Sequence, residues 1–167
     1  MDGPVDPRKG NGMKEQRRGK RIAMSPEERD AFLTDERMCR AATVSADGSP
    51  HSSPLWFVWD GKSLWLNSVV NSQRWTNLRR DPRISVVVDA GRDFGELRGV
   101  ELLGKVEAVG ELPRTGASNP DLEEPERLFG SKYAGGPFSY DGRHGWLRLV
   151  PEKIVSWDFR KMPGARV

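Results

Sequence analysis

Residues 40–69 read RAATVSADGSPHSSPLWFVWDGKSLWLNSV. Two Asp-Gly pairs, Asp47-Gly48 and Asp60-Gly61, punctuate this run, each between stretches rich in β-branched and aromatic residues. Asp-Gly favours tight hairpins because glycine takes up positive φ without a side-chain clash. The run therefore predicts three strands, at residues 40–45, 51–59 and 63–69, joined as an antiparallel meander. The middle strand carries Pro54-Leu55-Trp56-Phe57-Val58-Trp59. Leu55, Phe57 and Trp59 share one face; Trp56 and Val58 share the other. A sheet with one wet face would alternate with polar residues. This strand is buried on both sides, or turns one side to a ligand or a partner subunit.

Upstream, Ser25 reads as a helix N-cap, with Pro26 at the first helical position and Glu28 completing a capping box. The helix runs to Leu33, with Phe32 and Leu33 inward. Downstream, residues 71–81 switch period: Trp75 and Leu78 stand three apart, Ser72 is the N-cap, and Asp81-Pro82 stops the helix. Residues 84–88 form a β-branched strand. Residues 98–111 alternate as one long strand, with Val100, Leu102, Gly104, Val106 and Ala108 on one face and a bend at Gly104. The stretch 112–142, rich in Pro, Gly and acids, predicts loops and a short helix near 123–133. Residues 145–150 and 153–159 predict two strands around Pro151. The count is six or seven antiparallel strands with short helices. The fold class is mainly β, a β-barrel, since closure removes the sheet edges.

Residues 1–23 hold seven Lys/Arg against three acids and few large apolar groups. Such a segment buries too little to offset its ordering entropy. It predicts a disordered basic tail ahead of a single domain at 24–167. The tail accounts for the basic pI, so a nucleic-acid partner is not expected. The lone Cys39 permits no intrachain disulfide and reads as a small core residue. No secretory leader or membrane span is evident, which predicts a cytoplasmic protein with no membrane partner.

Dinucleotide-fold and Walker A motifs are absent, as is a nucleophile elbow. Two histidines and one cysteine make no zinc site, so no metal is expected. One segment does suggest chemistry. Residues 67–74, Asn-Ser-Val-Val-Asn-Ser-Gln-Arg, link a strand to the start of a helix. Free N–H groups and the positive end of the helix dipole meet there, with Ser68 and Arg74 alongside. That is a plausible phosphate site, although an ordinary capped surface helix has the same spacing.

At these features the chain resembles the pyridoxamine 5'-phosphate oxidase-like split β-barrel proteins, in their flavin/deazaflavin oxidoreductase branch. The match runs through Ala41-Ala42-Thr43-Val44, Asp47-Gly48, Pro54-Leu55-Trp56-Phe57-Val58 and Ser72-Gln73-Arg74. It continues through Asn77-Leu78-Arg79-Arg80-Asp81-Pro82-Arg83-Ile84, Leu97-Arg98-Gly99-Val100 with Gly104, Pro151-Glu152 and Ser156-Trp157-Asp158. Members commonly have Lys where this chain has Arg74.

The resemblance implies a split-barrel homodimer with cofactors in clefts between subunits. The phosphate would lie on Ser68, Ser72, Gln73 and Arg74, with Asn77 supporting the loop. The ring system would lie along Pro54, Leu55, Trp56 and Phe57. It further implies an oxidoreductase passing a hydride between coenzyme F-420 and a small organic acceptor. The alternatives are an FMN-binding protein, or a non-catalytic flavin or haem carrier or sensor. Arg79, Arg80, Arg83, Arg98 and the basic tail would receive the oligoglutamyl tail of F-420. No residue is singled out as catalytic; Tyr133, Tyr140, His51 and His144 are the proton donors available besides carboxylates.

Overall fold

The structure is a computed structural model and describes residues 12–162 and 164. Both Asp-Gly turns form, with Gly48 at φ 85° and Gly61 at φ 90°. They join β1 (Met38–Val44), β2 (Pro50–Trp59) and β3 (Leu64–Val69) as the expected meander. The β1–β2 register runs from Met38 opposite Trp56 to Val44 opposite Pro50. β4 (Arg83–Ala90), β5 (Arg98–Val109) and β6 (His144–Asp158) complete a closed antiparallel barrel in the order β1-β2-β3-β6-β5-β4. The fold class is thus mainly β, with six strands among the described residues.

β6 corrects one expectation. Pro151 does not divide two strands but sits inside one. Gly104 pairs with Pro151 while Leu103 pairs with Lys153, leaving Glu152 as the extra residue of a bulge. A proline lacks the ladder donor and is tolerated where the ladder is already broken. Gly104 is needed there, since a Cβ would come within 2.9 Å of Leu149 Cδ1 and 3.0 Å of the Val150 carbonyl.

Phe57, Leu64, Leu66, Val86, Val88, Val100, Leu102 and Leu149 fill the barrel and are fully buried. Phe32 and Leu33 of α1 (Pro26–Asp35) join this core, as do Trp75 and Leu78 of α2 (Gln73–Arg80). A second apolar layer lies apart from it. It unites Val58, Trp65, Val109, Trp146 and Leu122 of α3 (Pro120–Phe129), with Phe129, Tyr133 and Phe138 packed against them. The short helix expected near 123–133 is α3 followed by a π-helical turn, Gly130–Ala134. Val58 serves the second layer while Phe57 and Trp59 serve the barrel, so β2 is buried on both faces at 57–59. Trp56 departs from that pattern and is 46% exposed.

Of the tail, residues 1–11 lie outside the described residues. Within residues 12–23, Lys14 and Gln16 are held against β6. The Lys14 N–H donates to the Glu152 carbonyl at 2.7 Å, so the segment takes up the bulge's carbonyl. Gln16 exchanges hydrogen bonds with the Ser156 backbone, at 3.0 and 2.9 Å. Backbone pairing supplied by β6 holds this segment, which its composition alone would not order. No helix among the described residues is long and apolar enough to cross a membrane.

Candidate functional site

α2 begins where expected. Ser72 is its N-cap and accepts the Trp75 N–H at 3.2 Å. Trp75 and Leu78 are drawn into the barrel core, and this fixes the rotation of the helix. Arg74, one residue before Trp75, is thereby carried inward with only 8% exposed. Its Nε and Nη2 donate to the Ser68 hydroxyl at 3.2 and 3.1 Å, and its Nη1 donates to the Ser53 hydroxyl. Among the described residues no carboxylate stands within ion-pair distance of it. Burial pulls Arg74 below the ordinary guanidinium range, because a buried cation lacks the hydration that favours its charge. An anion arriving beside it would supply the missing counter-charge.

Arg74 lies on the wall of a cavity of about 500 Å³. Pro54, Leu55 and Trp56 of β2, with Asn67 and Val69 of β3, form one side. Phe129, Phe138 and Tyr140, with His144 of β6 next to Val69, complete the lining. Asn67 Nδ2 is buried with no hydrogen-bond partner. An orphaned amide donor and an anion-seeking guanidinium that line one cavity fit a ligand bearing a phosphate and a hydrogen-bond acceptor. Arg114 adds no free charge. It is buried between Glu126, at 2.6 Å, and Glu111. Tyr140 Oη donates to the same Glu126 at 2.9 Å, and Trp146 Nε1 does so at 3.2 Å.

Not every expected site residue reaches this wall. Phe57 is fully buried in the barrel. Ser68 is 1% exposed and acts on Arg74. Ser72 spends its hydroxyl on the helix cap. Gln73 is exposed and donates to Asn77 Oδ1 at 2.8 Å. Asn77 Nδ2 donates to the Thr43 hydroxyl at 3.0 Å, tying α2 to β1. Pro54, Leu55, Trp56 and Arg74 line the cavity.

None of Arg79, Arg80, Arg83 and Arg98 lines the cavity. Arg98 pairs with Asp158, whereas the cavity end of β5 is Val109 opposite Trp146. The two ends are roughly 36 Å apart along the strand at 3.2–3.4 Å per residue. Arg83 is occupied by Asp81 at 2.6 Å, and Arg80 by the Val44 carbonyl.

Among the proton donors considered, Tyr133 is committed elsewhere. Its hydroxyl accepts the Phe57 N–H at 3.2 Å and its proton is shared between the Phe57 and Arg37 carbonyls, at 2.7 and 2.8 Å. Burial pushes its pKa up to about 12. His51 is not on the cavity wall; His144 is. Part of the cavity's aromatic lining is Phe129, at the end of α3 within the expected short helix, and part is Phe138 and Tyr140 in the loop that follows. Phe129, Phe138 and Tyr140, recurring in a Pro/Gly-rich segment, were the available signal. Cys39 is a buried core residue whose thiol burial pushes up to about 12.

A closed six-stranded antiparallel barrel with an anion-ready cavity beside α2 defines a protein of the split β-barrel class. The pyridoxamine 5'-phosphate oxidase family pattern matches residues 25–157, and the chain belongs to that family. A conserved hypothetical protein from Mycobacterium tuberculosis is 30% identical, with a TM-score of 0.71 over 92% of this chain and 97% of that one. An F-420 reductase is 23% identical, with a TM-score of 0.58 over 78% and 98%. The haem storage protein HutZ from Vibrio cholerae is 16% identical, with a TM-score of 0.64 over 81% and 96%. The last two likenesses speak for the fold alone. No curated protein matches the chain.

Proposed function

We propose that this chain is a cytoplasmic oxidoreductase that passes a hydride between coenzyme F-420 and a small organic acceptor. The observation carrying it is the buried Arg74, gripped by the Ser53 and Ser68 hydroxyls and lacking a carboxylate partner at the cavity wall. When bound, the deazaflavin supplies the hydride chemistry. The chain's residues bind and orient. Arg74 would hold the phosphate, Asn67 Nδ2 would donate to a ring acceptor, and Trp56 would offer a flat face. The aromatic side of the cavity would exclude water. The fold is shared with an F-420 reductase; FMN, which carries a phosphate as well, is the alternative.

The functional unit is proposed to be a homodimer. Met38 and Trp56 are cross-strand partners, 44% and 46% exposed, beside one another at the cavity. Two large apolar side chains at a ligand mouth are suited to cover by a second copy.

Titration of the purified chain with F-420 and with FMN, followed by tryptophan fluorescence, tests the reading. F-420 is expected to bind more tightly, and Arg74→Gln is expected to abolish binding of either while leaving the fold intact. Unchanged binding by that variant would refute the phosphate grip. Binding without oxidation of reduced cofactor by any added acceptor would make the protein a carrier.

A further inference from the structure

Asp141 and His144 form a unit that neither the barrel core nor the phosphate grip uses. Asp141 lies in the loop leading into β6. Its Oδ1 accepts the N–H groups of Arg143 and His144, at 2.9 and 3.1 Å. That leaves Oδ2 on His144 Nδ1, at 2.5 Å. Those hydrogen bonds hold the Asp141 carboxyl below its usual range against the opposing effect of burial. A neutral imidazole placed so keeps its hydrogen on Nδ1, toward the carboxylate. Nε2 is then the atom that takes up and releases a proton. β3–β6 pairing sets His144 opposite Val69, and both line the cavity that Arg74 and Trp56 line. The His144 side chain is 31% exposed, so the ring reaches ligand space and solvent together.

We infer that His144 is the proton-transferring residue of this cavity and Asp141 its positioning residue. The inference rests on the proposed binding of a reduced deazaflavin or flavin there. Consider an acceptor with a carbon–carbon double bond conjugated to a carbonyl. Hydride addition at its β-carbon forms a C–H bond and pushes the π pair onto the carbonyl oxygen. The acceptor gains two electrons, and the cofactor loses them. The imidazolium Nε2–H bond breaks as its proton passes to the α-carbon of the resulting enolate. The imidazole is left neutral, with Nδ1–H on Asp141, and solvent restores the Nε2 proton.

The charged groups around the ring suit this cycle. Asp141 and Arg143 stand on its own loop, and Arg74 faces the cavity from α2. Arg114, whose N–H donates to the His144 carbonyl at 2.7 Å, is neutralised by Glu111 and Glu126.

The test uses the full chain, His144→Gln and Asp141→Asn. Without cofactor, nitrogen NMR of the two histidine rings, assigned through His144→Gln, is expected to show the Nδ1–H tautomer at His144. Asp141→Asn should shift it toward Nε2–H. With reduced cofactor and 2-cyclohexen-1-one as acceptor, His144→Gln is expected to turn over about 100-fold more slowly, the lower end for a lost general acid. It should lose the fall in rate toward alkaline pH, while cofactor titrations match the unaltered chain. Equal rates and an equal pH profile in cofactor-bound His144→Gln would overturn the inference and leave the cofactor reading standing. Failure of the unaltered chain to bind either cofactor would remove both. A haemin Soret band that is lost in His144→Gln would make His144 an iron ligand and overturn its assignment as a proton donor.

Discussion

Ser68 accepts two hydrogen bonds from the Arg74 guanidinium, at 3.2 and 3.1 Å, across the turn between β3 and α2. The hydroxyl is buried, and the two lone pairs of its oxygen let it accept both. It aims a cation that has no carboxylate partner among the described residues, so a hydroxyl sets the direction of a charge. The anion site is therefore a matter of orientation as much as of arginine itself.

Ser68→Ala should loosen that aim. An unpaired buried donor costs about 1–3 kcal/mol, but Arg74 retains Ser53, so the lower end applies. Affinity for FMN or F-420 is expected to fall about 5- to 10-fold, the equivalent of about 1 kcal/mol. Fluorescence titration of variant and unaltered chain measures it.

Gly130→Ala should disturb the aromatic wall. A methyl there collides with the Gly136 carbonyl oxygen and comes within 2.8 Å of the Phe138 nitrogen. The segment bearing Phe138 must move. Overpacking of this kind costs about 1–3 kcal/mol, and both melting temperature and cofactor affinity are expected to fall.

Tyr133→Phe removes the hydroxyl that pairs the Phe57 backbone beyond the start of β1. A loss of about 1 kcal/mol in urea unfolding is expected. The Trp56–Tyr133 stack, with centroids 4.5 Å apart, should survive, and so should the cavity's shape.

Acid should destabilise the protein through Glu111. The Ala117 N–H at 2.8 Å, with Arg114 and Thr115, holds its carboxyl below the usual range. Stability from a depressed carboxyl is fully present above the unfolded value, about 4.3, and is lost as pH falls through the lower folded value. Thermal melts from pH 7 to 2 should show the loss below about pH 4. Glu111→Gln should be less stable at neutral pH and show a shallower acid limb.

The meander, the α2 cap and the long β5 strand were legible because each depends on a few adjacent residues: an Asp-Gly turn, a serine before a helix, an alternation of period two. Reading β6 as two strands failed because a proline usually breaks a ladder. Only its partner strand shows that Gly104 makes room for the bulge. The inward direction of the Phe57 side chain was not legible for a related reason. Alternation groups residues by face but does not say which face lines a cavity.

Local sequence therefore settled the β1–β3 meander, the start of α2 at Ser72 and the long β5 strand. Tertiary packing settled the rest. Among the described residues it left Arg74 without a carboxylate while giving Arg114 two, gathered Phe129 of α3 with Phe138 and Tyr140 of the following loop at one cavity, and held His144 at that cavity beside Asp141. These outcomes depend on groups brought together by strand pairing between distant parts of the chain. Short-range preferences carry no information about such encounters.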